Sequence, residues 1–474
     1  GYGYDTVTKE KYFQGWSDDN AYVIGHLAVA YIYAGNTGDT GAFHGAPQSF
    51  IDKTLEVVQG ISELPAPPEN FRAFLVPGSG NQTFAGSWYQ VPNGWIELQK
   101  SSANPSISDG NGNYTLEGAK YGIYKGDKLI QTLTTDKNGY AKSKELEEGS
   151  YTVKEISAPA GFIVDATAHD VNVKPEETST VKSSDIPQNN PISLILQKLD
   201  LETGEGKPQG NSSLANAEFT IKFYTELSDT DPAASGKKPV RTWVMKTNAS
   251  GEMHFTKDYF VSGDEFYYAS DKKTVCLPIG TVTIQETKAP KNYFLNETVF
   301  VQKITGSGSQ ESVSIYNASN VEEQVYRGGV KVQKRDLETQ DTVSQGNATL
   351  AGATFSITTL NEQPVWVNGK LYQKDEMCLT IITDENGLAS TEEKALPVGH
   401  YRIEETQAPT GYLKDGAKTL EFEITKDGEM VDLTSKDTSI ANQVIRGGVK
   451  VQKRDIETGE TKPQGNATLE GATF

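Results

Sequence analysis

Residues 327–336 read Arg-Gly-Gly-Val-Lys-Val-Gln-Lys-Arg-Asp, and residues 446–455 have the identical ten-residue sequence. The two runs are 119 residues apart. A repeat of that length is a whole domain, because solenoid units take about 20–50 residues. The run is a β-type segment that carries a lysine, Lys334 in the first copy and Lys453 in the second. It therefore predicts a series of similar β-domains, each opened by a lysine.

The opening lysine is the first part of a longer motif. Always 16 residues later comes the leucine of a Leu-x-x-Ala-x-aromatic box, and each full copy then has a Thr-Asp/Asn-x-x-Gly turn, which signals a hairpin. A glutamate before Ala-Pro follows, and alternation places it on the core face of a strand, where an ionised carboxylate is costly. The lysine and leucine pairs are Lys100/Leu116, Lys198/Leu214, Lys334/Leu350 and Lys453/Leu469, and the glutamates are Glu155, Glu286 and Glu405.

Length and composition agree with a chain of soluble β-rich modules. The 474 residues have room for about three or four domains, and the chain is 36% hydrophobic with 45 glycines and 22 tyrosines. The net charge of −19 argues against nucleic acid and against an anionic membrane surface, because both would repel the chain. The apolar run at 22–33 is interrupted by Gly25 and His26 and is too short to span a membrane. We predict neither partner.

Cysteine and histidine usage predicts no cofactor. Cys276 and Cys378 occupy non-equivalent positions in different repeats, which argues against a disulfide framework. The five histidines form no cluster with the spacing of metal ligands. Residues 109–113, Asp-Gly-Asn-Gly-Asn, alternate oxygen ligands, but Tyr114 and Lys120 stand where a calcium loop needs glycine and glutamate. We interpret this segment as a turn and predict no metal site.

Three elements together resemble a known family. They are the Lys-x-Asp opening, the Leu-x-Gly-Ala-x-Phe box and the Glu-Thr-x-Ala-Pro-x-Gly-Tyr element, and the resemblance covers about residues 95–474. The family is that of the prealbumin-like B-type domains in collagen-binding adhesins and pilins of Gram-positive bacteria. The resemblance implies a covalent bond from a first-strand lysine to an Asn or Asp on the last strand, beside a buried glutamate. Burial would keep the amine uncharged and nucleophilic, and would keep the glutamate protonated and able to shuttle protons.

The bond partner differs between the repeats. In the third repeat it is Asn442, 11 residues before the next lysine. In the first repeat it is Asp185, 13 residues before the next lysine, with Asn189 as the alternative, because the strictly aligned position holds Pro187. The alternative for any single lysine is a solvated charge at a strand edge. The predicted sites are Lys100 with Asp185 and catalytic Glu155, and Lys334 with Asn442 and catalytic Glu405.

The second repeat departs from the family pattern. Glu323 stands at the aligned position, and Asn320 lies three residues earlier, on the opposite face of the strand. We therefore expect Lys198 and Glu286 to form a buried ion pair or hydrogen bond without a covalent bond.

The first 94 residues lack the repeat motifs. Ser17-Asp18-Asp19 predicts a helix start, and a second helix should follow Pro47. The predicted inward residues are Tyr22, Val23, His26, Leu27, Ala30 and Tyr31 on the first helix, and Ile51, Thr54, Leu55, Val58 and Ile61 on the second.

Residues 16–33 resemble the C-terminal part of thioester-type adhesin heads. Such heads carry a Thr-Gln-x-Ala motif whose glutamine joins an upstream cysteine. Here residues 25–28 read Gly-His-Leu-Ala, and no cysteine precedes Cys276. We therefore expect no thioester in this segment, and we interpret His26 as a hydrogen-bonded core residue.

The predicted fold is mainly β, a rod of tandem prealbumin-like or Ig-like β-sandwiches behind a small truncated α/β head. The last box is cut at Phe474, so we expect a fourth repeat to begin but not to finish. The predicted domains are a thioester-like head at 1–94, repeat 1 at 95–190, repeat 2 at 191–326, repeat 3 at 327–445, and the first strand pair of repeat 4 at 446–474.

These features predict a non-enzymatic adhesin, or the stalk of one, displayed outside the cell on a Gram-positive cell wall. Its repeats would be rigidified by self-catalysed isopeptide bonds, and it would be joined to the wall through a C-terminal segment beyond Phe474. The sequence does not identify the host or matrix ligand. The alternative is a sortase-polymerised pilin subunit, which needs a further lysine to join subunits and a sorting signal.

Overall fold

The computed structural model describes residues 6–35, 43, 45–60, 63, 71–77, 83–89 and 92–474. The chain is mainly β, as predicted, and its three repeats are built from short strands. It forms two compact units. The first unit comprises residues 1–102, 115–159 and 164–185, and the second comprises residues 103–114, 160–163 and 186–474.

The N-terminal segment combines helices with one hairpin. Ser17 caps the second helix, because its hydroxyl accepts a hydrogen bond of 3.2 Å from the backbone N–H of Asn20. This confirms the predicted helix start. The elements are α1 Thr6–Tyr12, α2 Asp18–Tyr33, α3 Gln48–Gly60, β1 Phe71–Pro77 and β2 Thr83–Tyr89.

The predicted inward face of α2 is wrong in its first turns, whereas Tyr31 is buried as predicted and Leu27 and Ala30 are half-buried. The buried stripe is Ala21, Ile24, Ala28 and Tyr31, whereas Tyr22 is 70% exposed. The stripe includes two alanines that belong to the core shared with α3, which a count of large apolar residues does not reveal. Consequently the larger side chains Tyr22, Val23 and His26 turn outward.

The inward face of α3 agrees better with the sequence. Thr54 and Val58 are buried as predicted, and Ile51 and Leu55 are half-buried against the same core. Ile61, which we also predicted to face inward, lies outside the described residues.

Repeat 1 is a sandwich of two sheets. One sheet has the order β10-β3-β6, with β7 also paired to β3, and the other has the order β5-β4-β8-β9. Apolar residues from both sheets meet in one core, among them Leu98, Tyr121 and Val153. The elements are β3 Asn93–Ser102, α4 Pro105–Ser108, β4 Lys120–Lys125, β5 Lys128–Thr134, β6 Tyr140–Lys142, β7 Leu146–Glu147, β8 Gly149–Ser157, β9 Ala168–Val173 and β10 Thr178–Asp185.

Repeat 2 has a larger set of strands. The sheet β15-β12-β21 faces the sheet β16-β14-β13-β19-β20, and a small sheet β11-β18-β17 lies beside them. The strands are β11 Asn189–Pro191, β12 Leu194–Asp200, β13 Glu218–Tyr224, β14 Arg241–Lys246, β15 Glu252–His254, β16 Phe260–Gly263, β17 Tyr267–Tyr268, β18 Val275–Pro278, β19 Gly280–Lys288, β20 Val299–Ile304 and β21 Ser319–Glu323.

Repeat 3 follows the same plan. In one sheet β22 pairs with β27, β28, β31 and β32, and the other sheet has the order β26-β23-β29-β30, with a separate hairpin β24-β25. The strands are β22 Arg327–Asp336, β23 Thr354–Thr359, β24 Val365–Val367, β25 Lys370–Tyr372, β26 Met377–Ile382, β27 Leu388–Ser390, β28 Leu396–Pro397, β29 Gly399–Gln407, β30 Leu420–Ile424, β31 Met430–Leu433 and β32 Ile440–Asn442.

The first and last strands of each repeat lie side by side and run in the same direction. The parallel pairs are β3 with β10, β12 with β21, and β22 with β32. Parallel strands cannot be joined by a tight hairpin, so the whole of each repeat lies between its two paired ends. This topology places the opening lysine next to the end of its own domain.

The predicted strand pair of a fourth repeat is wrong. Residues 446–474 contain turns but no strand, and Val449 is 92% exposed. The identical sequence at 327–336 forms strand β22, and four other strands pair with β22. Within the described part of the chain, no strand pairs with residues 446–455. Strand formation here is decided by neighbours and not by the local sequence.

Candidate functional site

The parallel register brings each opening lysine to the residue at the end of the last strand. In every repeat that residue lies opposite the position two beyond the lysine. Since residues two apart share a strand face, lysine and partner point to the same side. The opposed pairs are Ser102 with Asp185, Asp200 with Glu323, and Asp336 with Asn442.

The Thr-Asp/Asn-x-x-Gly turn fixes the lysine strand. The backbone N–H of Lys100 donates a hydrogen bond of 2.8 Å to the carbonyl of Gly139, and the equivalent bonds in the other two repeats are 2.7 Å. Gly139 has φ +74°, and a Cβ atom there would collide with the carbonyl oxygen of Lys100. The Thr135 hydroxyl donates to the carbonyl of Leu116 at 2.6 Å, which joins this turn to the leucine box.

The box aromatic lies opposite the glutamate. Tyr121 faces Glu155, Phe219 faces Glu286 and Phe355 faces Glu405, each beside a bulge in the strand pairing. The aromatic ring also lies over the lysine ammonium, with 4.9, 5.5 and 5.9 Å between nitrogen and ring centroid in repeats 1, 2 and 3. We did not predict this role. The constant spacing of lysine and box in the sequence is the signal that could have indicated it.

In repeat 1 the lysine lies in a closed polar cluster. Lys100 Nζ donates to Glu155 Oε1 at 2.8 Å and to the hydroxyl of Tyr121 at 2.7 Å, and it forms an ion pair with Asp185. The other oxygen of Glu155 accepts a hydrogen bond of 2.6 Å from the backbone N–H of Asp165. The side chains of Lys100, Glu155 and Asp185 are fully buried. The solvated-edge alternative is therefore wrong for this lysine.

Burial shifts the acid–base chemistry of this cluster. It raises the pKa of Asp185 to about 7, because the carboxylate is removed from water. Burial also opposes the charge on Lys100, but hydrogen bonds to Asp185, Glu155 and Tyr121 outweigh it and raise the pKa of the ammonium. The alternative partner Asn189 donates its side-chain hydrogen bond of 3.1 Å to Glu311.

In repeat 2 the lysine contacts two glutamates. Lys198 Nζ donates to Glu286 Oε1 at 2.7 Å and forms an ion pair with Glu323. Glu286 Oε2 accepts a hydrogen bond of 2.8 Å from the backbone N–H of Asn296. Burial lowers the pKa of Lys198 to about 8 and raises the pKa of Glu286. Asn320 is exposed, on the opposite strand face as predicted.

In repeat 3 one glutamate bridges the two predicted reactants. Glu405 Oε1 lies 2.8 Å from Lys334 Nζ, and Glu405 Oε2 accepts a hydrogen bond of 2.7 Å from Asn442 Nδ2. Asn442 Nδ2 also donates to the carbonyl of Leu413. Lys334 and Glu405 are fully buried at their side chains, and burial lowers the pKa of the Lys334 amine. The side-chain oxygen of Asn442 accepts no hydrogen bond from the described residues.

One histidine and the two cysteines lie away from these clusters. His26 is exposed and stacks on Tyr22 with 6.4 Å between ring centroids, so the prediction of a core histidine is wrong. It projects from the outward side of α2, which explains the difference. Cys276 and Cys378 are buried and unpaired, and burial raises the pKa of both thiols.

Residues 109–113, which we interpreted as a turn, contain turns at 109–110 and 112–113. Their side chains also contact residues far along the chain. Asn111 Nδ2 donates to the carbonyl of Ile279 at 2.8 Å, and Asn113 Nδ2 donates to the carbonyl of Thr225 at 2.6 Å. Among the described residues, no group of three His, Cys, Asp or Glu side chains is arranged to hold a metal ion. None of the described helices is both long and apolar enough to cross a membrane.

Family models match most of the chain. The model of the SpaA prealbumin-like fold domain matches residues 106–187, 205–319 and 330–439, and a thioester domain model matches residues 1–68. A relative, the trypsin-resistant surface T6 protein of Streptococcus pyogenes serotype M6, is 40% identical over 70 residues. That alignment covers 15% of this chain and 13% of the T6 protein.

Solved structures of similar architecture cover more of the chain at lower identity. The TIE protein of Bacillus anthracis has a TM-score of 0.44 at 22% identity, over 79% of this chain and 57% of that one. The major pilin subunit BcpA of Bacillus cereus has a TM-score of 0.28 at 17% identity, over 74% of this chain and 100% of that one. Because both TM-scores are below 0.5, the family models and not these structures carry the assignment.

Proposed function

Because the chain belongs to the SpaA family of prealbumin-like fold domains, we propose that it is an adhesin, or the stalk of one, on the surface of a Gram-positive bacterium. Its tandem domains would hold a binding head away from the cell wall, to which the protein would be attached. The proposed role is structural and non-enzymatic. The chemistry would be directed at the chain itself, through amide bonds from Lys100 to Asp185 and from Lys334 to Asn442.

The observation that carries this proposal is the position of Glu405 between Lys334 and Asn442. Its two oxygens contact the amine nitrogen at 2.8 Å and the leaving amide nitrogen at 2.7 Å. The uncharged amine of Lys334 attacks Cγ of Asn442, so that a C–N bond forms and the bond from Cγ to Nδ2 breaks. Glu405 takes a proton from the attacking nitrogen and delivers one to Nδ2, which leaves as ammonia.

In repeat 1 a related reaction would expel water, after the Lys100 ammonium passes a proton to the Asp185 carboxylate with which it is paired. Lys100 Nζ attacks Cγ of Asp185, and the hydroxyl of the protonated carboxyl group leaves with a proton relayed by Glu155. A pKa of about 7 for Asp185 keeps a large share of this carboxyl protonated at neutral pH, as amide formation requires. The burial of all three side chains also excludes competing water from the site.

The bond would join the two strands through which pulling force enters and leaves the domain. In repeat 3 these are β22 and β32, which pair in parallel at Lys334–Asp336 and Ile440–Asn442. Hydrogen bonds between the strands can be broken one after another, whereas a covalent amide cannot be broken by modest force. A stalk built in this way would keep its length under load.

Intact mass spectrometry of the folded protein tests the proposal. Loss of one ammonia is expected from repeat 3 and loss of one water from repeat 1, and peptide mapping should recover both branched peptides. Glu405→Gln should preserve the fold but prevent or slow the loss of ammonia, because an amide cannot relay the proton. Glu404→Gln, a change on the opposite strand face, serves as the matched control. A mass equal to the sequence mass in folded, matured protein would overturn the proposal.

A further inference from the structure

Glu323 occupies in repeat 2 the position that Asp185 and Asn442 occupy in the other repeats. It lies at the end of the last strand, β21, opposite Asp200, which is two residues beyond Lys198. Its side chain is 2% exposed and is paired with a lysine side chain that is fully buried. A glutamate that merely replaced a lost partner would be expected to turn towards water, since burying a carboxylate is costly. This glutamate points into the site.

The two glutamates around Lys198 are held differently. Glu286 is fixed at both oxygens, one by Lys198 at 2.7 Å and one by the N–H of Asn296 at 2.8 Å. Neither oxygen of Glu323 accepts a hydrogen bond from the described residues, and its ion-pair partner is Lys198. In repeat 1, neither oxygen of Asp185 accepts a hydrogen bond from the described residues either, and its ion-pair partner is Lys100. Glu286 therefore matches Glu155, and Glu323 matches the carboxyl group that reacts.

The charge of the pocket also favours Glu323 as the reacting carboxyl group. One ammonium faces two carboxyl groups, so full ionisation would leave a net negative charge in a dry interior, which is expensive. An amide between Lys198 and Glu323 removes one positive and one negative charge together and leaves Glu286 as a protonated acid. It also uses the carboxyl group that meets no donor other than Lys198 among the described residues.

We propose that repeat 2 is cross-linked by an amide bond between Lys198 Nζ and Cδ of Glu323. The inference rests on the proposed cross-linking of the other repeats and extends it to a glutamate partner. The uncharged amine attacks Cδ of the protonated carboxyl group, the C–N bond forms and a C–O bond breaks. Protonated Glu286 gives its proton to the departing hydroxyl and takes one from the attacking nitrogen, so that one water leaves and Glu286 is again a protonated acid. No other reactant is needed.

The experiment compares the full chain with its Glu323→Gln variant by intact mass. Lysine plus glutamate minus water, and lysine plus glutamine minus ammonia, are the same product, so the two matured proteins should have identical masses. Without the cross-link, their masses differ by the exchange of a hydroxyl for an amino group. Glu322→Gln, an exposed neighbour, is the matched control and should show that difference in full.

Peptide mapping completes the test. We expect a branched peptide joining Lys198 to Glu323 in the native protein, and its loss in Glu286→Gln and in Glu323→Ala. A total deficit of one ammonia and one water, located in repeats 3 and 1, would overturn this inference and leave the proposed function standing. A protein with no deficit in any repeat would overturn both. Because Glu323→Gln keeps the size of the side chain, its result does not depend on whether Glu323→Ala folds.

Discussion

The hydroxyl of Tyr412 donates a hydrogen bond of 2.8 Å to the buried carboxylate of Asp336, two residues beyond the lysine of repeat 3. Tyr293 donates an equivalent bond of 2.7 Å to Asp200 in repeat 2. Each bond connects the Gly-Tyr or Asn-Tyr end of the segment after the buried glutamate to the strand that carries the lysine. Glutamate and lysine are thereby held together through a second contact, which sequence motifs alone did not indicate.

Tyr412→Phe should destabilise repeat 3 by about 1.5–3 kcal/mol, the usual value of a hydrogen bond to a charged group. Amide exchange of the core strands β23 and β29 in the full chain should report the loss. Tyr372→Phe on the β24-β25 hairpin is the control and should leave those amides unchanged. Repeat 1 has Phe162 and Ser102 at the equivalent positions, so its exchange should be unaffected by either change. Equal exchange in Tyr412→Phe and the native chain would contradict the prediction.

Pulling on the two ends of the chain should leave repeat 3 folded at modest force. Lys334→Ala removes the nucleophile, so the variant should extend by the length of one domain. Lys331→Ala on the same strand is the control, because Lys331 forms a surface ion pair with Asp432 at 2.9 Å. Such pairs contribute at most about 1 kcal/mol. Full extension of the native repeat 3 would show that no covalent bond protects it.

Arg327 should stabilise the junction between repeat 2 and repeat 3. Its side chain is 12% exposed, donates to Glu202 of repeat 2 at 2.7 Å, and donates to the carbonyls of Lys394 and Ala395 of repeat 3. Arg327→Met should cost the junction about 1.5–3 kcal/mol, since a partly buried carboxylate loses its charged donor. Two amides report this junction, because the N–H of Gly210 donates to Pro364 and that of Trp366 donates to Gln209.

Amide exchange at those two positions should rise by roughly ten- to a hundredfold in Arg327→Met, as about 1.4 kcal/mol corresponds to a factor of ten. Lys288→Met, which removes an exposed ion pair with Glu218, should have no such effect. An unchanged exchange rate at both amides would mean that other contacts hold the junction.

Repeat 3 should gain stability with rising pH when its cross-link is blocked. In Glu405→Gln the amine of Lys334 stays free, and burial keeps its folded-state pKa below the ordinary 10.5. Loss of the glutamate lowers it further, because Glu405 raises the pKa in the native protein. Between the two pKa values the unfolded chain binds more protons, so stability rises with pH in that window and is flat below it.

The matched comparison is Glu405→Gln/Lys334→Met, which lacks the titrating amine. Urea unfolding of repeat 3 between pH 7 and pH 10 should show the stability of Glu405→Gln rising relative to the double variant. The facing groups Asn442 and Phe355 do not ionise, so the difference isolates Lys334. A difference that falls with pH would mean that the lysine is charged in the fold.

The sequence predicted the cross-link clusters well because spacing along a strand determines the face of each side chain. Alternation placed Glu405 on the core face, whereas the resemblance to the B-type domains was needed to bring Lys334 and Asn442 to it; the parallel pairing of first and last strands emerged only from the structure. The bulge beside Glu405 could not be predicted, since it depends on how β23 and β29 pair across the sheet. The orientation of the Glu323 side chain could not be predicted either, because its burial depends on the residues that it contacts in the folded repeat.

Errors arose where tertiary contacts outweigh local pattern. On α2 the large residue Tyr22 was expected inside, but it is exposed, and the small residues Ala21 and Ala28 are buried in the core that α2 shares with α3. The runs 327–336 and 446–455 are identical, yet only the first forms a strand. Neither outcome can be derived from the residues of the segment itself.

The parallel pairing of first and last strands has a topological consequence. Once the amide bonds are in place, all residues between a lysine and its partner form a closed covalent ring, and one cut inside a ring leaves the chain in one piece. The exposed residues 233–238 lie inside such a ring. Between Lys100 and Asn442, only the short stretches 186–197 and 324–333 lie outside the rings, and there Ser193 is the one exposed residue. Proteases prefer exposed loop tips, so the accessible cuts between Lys100 and Asn442 would be those that do not sever the molecule.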